Sequence, residues 1–89
     1  MAEIARIRTP AEADATVEAI VLNLLLAEQP AQLTVAELQL ELAGGPASFP
    51  RRDEVERAVR ELAAVGLVHR NGELLLPSRA ARRFDQLLG

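Results

Sequence analysis

From residue 13 onward, apolar side chains recur at positions 13, 17, 20, 21, 24 and 25, the three-to-four spacing that lines one side of an α-helix. The segment Thr9-Pro10-Ala11-Glu12 precedes them as a capping box. The Thr9 hydroxyl can accept from the Glu12 N–H, Glu12 can reach back, and Pro10 suits the first helical position. Pro30 predicts the end of this helix near Glu28. A second box, Thr34-Val35-Ala36-Glu37, opens a short helix to about Leu42, with Val35, Leu38 and Leu42 facing inward. Gly44-Gly45-Pro46 ends it. A third helix over about 51–65 starts either at Pro50 or with Asp53 as cap and Glu56 as its reciprocal partner. Its core stripe is Val55, Ala58, Val59, Leu62 and Val65, and Gly66 stands where a left-handed C-terminal cap belongs.

The pattern then switches. Leu67-Val68-His69-Arg70 and Glu73-Leu74-Leu75-Leu76 flank Asn71-Gly72, a pairing that suits the two positive-φ positions of a type I′ hairpin turn. Strand alternation turns Leu75 away from Leu74 and Leu76, which makes it a candidate contact for a partner or for the last helix. Pro77 ends the second strand, Ser78 caps a final helix, and Ala80, Phe84, Leu87 and Leu88 are expected on its inner face. The elements predict a short N-terminal arm at 1–8, in which Ile4 and Ile7 could dock, and one domain at 9–89. That domain is mainly α with a small two-stranded β-hairpin.

The first helix carries a second apolar stripe, Ala15, Ala19, Leu22 and Leu26, on its other side. A helix apolar on two sides is covered on two sides. Either the arm and last helix of the same chain cover it, or a second copy does. The small size of the chain favours a homodimer, with those four residues as its interface.

Composition narrows the chemistry. The chain has 89 residues and no cysteine, so neither a disulfide framework nor thiolate chemistry is available. One histidine, His69, and no cysteine leave no metal site at defensible spacing, and His69 reads as an ordinary strand residue. No glycine-rich phosphate loop, nucleophile elbow or cysteine–histidine pair is present, and no cofactor is implied. An enzyme is not expected. Apolar residues fall in short clusters rather than a membrane span, and no secretory signal is evident, so a cytoplasmic protein is expected.

The net charge of −3 conceals an asymmetry. Residues 1–50 hold two arginines against seven acids, a balance of −5, whereas residues 51–89 hold eight arginines against six acids, a balance of +2. All ten basic residues are arginine, the side chain suited to bidentate phosphate and guanine contacts; abundant arginine and alanine also fit a GC-rich genome.

Helix, short helix, helix, tight hairpin, helix is the element order of a winged helix-turn-helix domain. Leu33-Thr34-Val35-Ala36-Glu37-Leu38 resembles the opening of the second helix in bacterial regulators of that superfamily. The run from Val55 to Val68 is similar to their third helix entering the first wing strand. Leu76-Pro77-Ser78-Arg79-Ala80-Ala81-Arg82-Arg83 is similar to their step into the last helix. The resemblance spans residues 11–88 and extends equally to MarR-, PadR- and ArsR-like regulators. It implies double-stranded DNA binding and transcription regulation, with the helix at about 51–65 in the major groove and the wing at 69–73 on the backbone. Carried over by position, the DNA contacts are Arg51, Arg52, Arg57 and Arg60 on the helix and Arg70 and Asn71 at the wing. The acids Asp53, Glu54 and Glu56 and the second stripe on the first helix suit an alternative, a protein-interaction or assembly module on the same skeleton without DNA binding.

Overall fold

A computed structural model describes residues 9–43 and 51–89. The expectations for the arm at 1–8, for Gly44-Gly45-Pro46 and for a helix start at Pro50 lie outside the described residues. The elements are α1 (Pro10–Glu28), β1 (Leu33–Thr34), α2 (Val35–Ala43), α3 (Arg52–Ala64), β2 (Val68–Asn71), β3 (Leu74–Pro77) and α4 (Arg79–Leu88). The fold is mainly helical, with a small antiparallel sheet in the order β1-β3-β2.

Both capping boxes form. Thr9 Oγ1 accepts from the Glu12 N–H at 3.1 Å, and Glu12 Oε1 accepts from the Thr9 N–H at 2.9 Å. Thr34 Oγ1 and Glu37 repeat the exchange at 3.1 and 2.8 Å. At α3 the expected cap at Asp53 does not hold. Arg51 is the N-cap residue, and Glu54 Oε1 accepts its N–H at 2.6 Å. A guanidinium has no acceptor, so this box is one-sided.

The extended backbone that an N-cap requires also explains the third strand. Leu33 and Thr34 present that backbone to β3, pairing with Leu75 and Leu74. Among the described residues the sheet therefore has three strands, not the two of an isolated hairpin.

The hairpin register is shifted by one residue from expectation. Asn71 pairs with Leu74, which leaves Gly72 and Glu73 as the two-residue turn. Gly72 takes φ +65°, a conformation that costs glycine no Cβ clash. Gly66 at φ +87° closes α3 as expected. The Leu67 N–H donates to the Leu62 carbonyl at 2.9 Å and the Gly66 N–H to the Ala63 carbonyl at 3.2 Å, the bond pair of a Schellman cap.

The core gathers Val21 and Leu25 of α1, Leu38 and Leu42 of α2, Val55, Ala58, Val59 and Leu62 of α3, and Val68 and Leu75 of the sheet. Three apolar expectations are corrected. Leu75 is fully buried and Leu74 faces outward, because β3 is the central strand and its core face is set by the register with β1 and β2. Val65, at the last edge of the α3 stripe, is exposed. In α4, Ala81 is buried while Ala80, Phe84, Leu87 and Leu88 are exposed. Buried Ser78 sets that orientation. Its N–H donates to the Leu67 carbonyl at 2.8 Å and its Oγ accepts from the Ala81 N–H at 3.1 Å, pinning the first turn to the sheet by its Ser78–Ala81 side.

Candidate nucleic-acid interface

Burial of the Val55/Ala58/Val59/Leu62 stripe turns the remaining sides of α3 to solvent. Along one flank, Arg52, Glu56 and Arg60 follow one another at four-residue intervals. They face the hairpin, where Arg70 on β2 and the Gly72-Glu73 turn supply the opposite wall. These residues, with Val35 and Val59, line an open groove of about 510 Å³. Three guanidinium groups against two carboxylates give its walls a net charge of +1. Arg52 shares its charge with Glu56, Nε to Oε2 at 3.4 Å, while Arg60 and Arg70 form no ion pair among the described residues. Gln39 Nε2 reaches the Arg52 carbonyl at 3.5 Å and ties α2 to the first turn of α3.

The six expected DNA contacts divide accordingly. Arg52, Arg60 and Arg70 converge on the groove. Arg51 stands exposed at the helix start, 3.9 Å from Asp53. Arg57 does not join them. It lies on the opposite flank of α3, where its guanidinium bonds Asp14 Oδ1 of α1 at 3.0 Å. That bond and the charge of Asp14 hold the Arg57 guanidinium above its ordinary pKa. Asn71 is exposed beside the turn but does not line the groove. Sequence reasoning placed Glu73 within the wing at 69–73 but not among the contact residues, and it missed Val35 and Val59, which line the groove from the core side.

A second group of arginines, Arg79, Arg82 and Arg83, surrounds a groove of about 490 Å³ between α4 and Gln29. The eight late arginines therefore form two separate groups, with Arg51 and Arg57 apart from both. Of the expected interface stripe on α1, Ala15 and Ala19 are exposed, whereas Leu22 and Leu26 are half-buried and Leu22 packs on the core. Among the described residues no cluster of three or more potential metal ligands gathers, and no helix is long and apolar enough to cross a membrane. Comparison with protein-family models, with curated proteins and with solved structures finds no match to this chain.

Proposed function

We propose that the protein is a winged helix-turn-helix domain that binds double-stranded DNA as a transcription regulator, with α3 as the groove-reading helix and the β2–β3 hairpin as the wing. The observation that carries the reading is the convergence of Arg52, Arg60 and Arg70 on one open groove between α3 and the hairpin. Guanidinium groups on two walls of a groove can grip successive phosphates while the start of α3 is presented to base edges. Glu56 and Glu73 restrain the affinity for bare phosphate, so the contact draws on geometry more than on a diffuse positive field.

The test is duplex binding across a salt series. Three phosphate contacts give a slope of log K against log salt of about −2.7, hence about a 40-fold loss between about 50 and about 200 mM salt. Arg60→Ala and Arg70→Ala should each flatten the slope by about 0.9, and Arg57→Ala should leave it unchanged. A wild-type chain that shows no duplex binding at about 50 mM salt moves the assignment to a protein-interaction module.

A further inference from the structure

α4 carries its apolar side outward. Phe84, Leu87 and Leu88 are 63, 66 and 74% exposed, and Ala80 is exposed on the same side. Positions 80, 84, 87 and 88 share one face of a helix. Arg79 and Arg83, one turn apart, run along an edge of that face, and neither they nor Arg82 form an ion pair among the described residues. An apolar patch with a cationic rim marks a contact surface.

A surface of complementary character lies on α1 and α3. Ala11, Asp14, Ala15 and Glu18 of α1, with Arg57 and Glu61 of α3, line a shallow groove of about 370 Å³. Three carboxylates face one guanidinium, already held by Asp14, which leaves the groove at −2. The alanines leave room for larger side chains above them, and exposed Ala19 extends the small-residue surface. Burial pushes the Glu18 carboxyl above its ordinary pKa, and the neighbouring charges of Glu61 and Asp14 push it further. Negative charge is crowded here with too little cation to answer it.

We propose that α4 of one copy docks along the Ala11–Ala19 side of α1 in a second copy, and that the exchange is reciprocal in a two-fold dimer. Phe84, Leu87 and Leu88 cover the alanines, and Arg79 and Arg83 face the partner's Glu18 and the partner's Glu61. Area favours reciprocity. A ten-residue helix face covers a few hundred Å², short of the roughly 1,000 Å² that a stable interface needs. Made twice across a two-fold axis, the contact approaches that size and closes on itself. Charge favours α1 over α4 as the receiving surface, because two antiparallel α4 helices would align their Arg79/Arg83 edges along one flank. The contact uses the flank of α3 opposite Arg52 and Arg60 and does not rest on nucleic-acid binding.

Sedimentation equilibrium of the full chain tests this. The wild type is expected to be dimeric at about 200 μM. Glu18→Arg, and separately the pair Arg79→Glu and Arg83→Glu, should each weaken association at least about tenfold. Mixing the Arg79→Glu/Arg83→Glu chain in equal amounts with a chain carrying both Glu18→Arg and Glu61→Arg should restore a dimer, because both contacts of that mixed pair again oppose unlike charges. Glu61→Arg, at an exposed position, repeats the first arm should Glu18→Arg lower the helical circular dichroism. Phe84→Asp should abolish association with an unchanged far-ultraviolet spectrum. A wild type that is monomeric at about 200 μM, or a dimer indifferent to both Glu18→Arg and Glu61→Arg, overturns the proposal.

Discussion

Arg57 and Arg60 sit three residues apart on one helix, yet their side chains have different tasks. Arg57 is committed to Asp14, and both groups are substantially exposed, at 49 and 40%. Solvent screening keeps such a pair weak, so a double-mutant cycle of Arg57→Ala with Asp14→Ala, read by urea denaturation, should return a small favourable coupling that fades as salt is added. Glu18 gives a second prediction. Its folded-state pKa is raised, so the protonated form is favoured by folding. The resulting stability is present at acid pH and lost as pH rises through the raised value. Glu18→Gln should therefore raise the melting temperature at neutral pH, in protein dilute enough to be monomeric, and the gain should vanish below the ordinary carboxylate range. Neither residue could be assigned this role from spacing alone. Arg57 pairs across 43 positions, and helical periodicity places it outward without saying which neighbouring helix it meets.

Elements were legible where a local hydrogen bond defines them. The Thr9/Glu12 and Thr34/Glu37 exchanges, the Gly66 cap and the Ser78 cap are all short-range, and the sequence signals for them found the helix ends. Register was not legible to one residue. Asn71-Gly72 marks a turn, but the Leu74–Leu76 run gives no alternation to fix which residue faces inward, and pairing with β1 decides it. Leu75→Ala should consequently cost about 2–5 kcal/mol in urea denaturation, while Leu74→Ala, on the outward face, should cost far less. Ser78→Ala should cost about 1 kcal/mol or more, since it removes the cap of α4 from a buried position and leaves the Ala81 N–H without its acceptor.

At the scale of the molecule, the core is built from three helices and the sheet, and α4 adds little to it beyond Ala81. The helical pattern of α4 correctly forecast an amphipathic element, and the assumption that apolar means inward placed its face wrongly. Amphipathicity states that a face needs a cover, not that the same chain provides it. Leu25→Ala should therefore remove about 2–5 kcal/mol from a total of about 5–15, while Phe84→Ala should leave monomer stability within about 0.5 kcal/mol of wild type. Comparing the two by chemical denaturation locates the cooperative unit directly.

The strand order places β2 at the rim of the sheet, with one side of its backbone unpaired by any strand among the described residues. An open rim is a template on which a stray extended segment can add and propagate into aggregates. Its outward residues His69, Arg70 and Asn71 are all polar and exposed, and the strand is only four residues long. Arg70 thus guards solubility whatever else it touches. An Arg70→Val chain should scatter light on gentle warming sooner than the wild type, so the natural residue at this edge answers to colloidal selection as well as to any ligand.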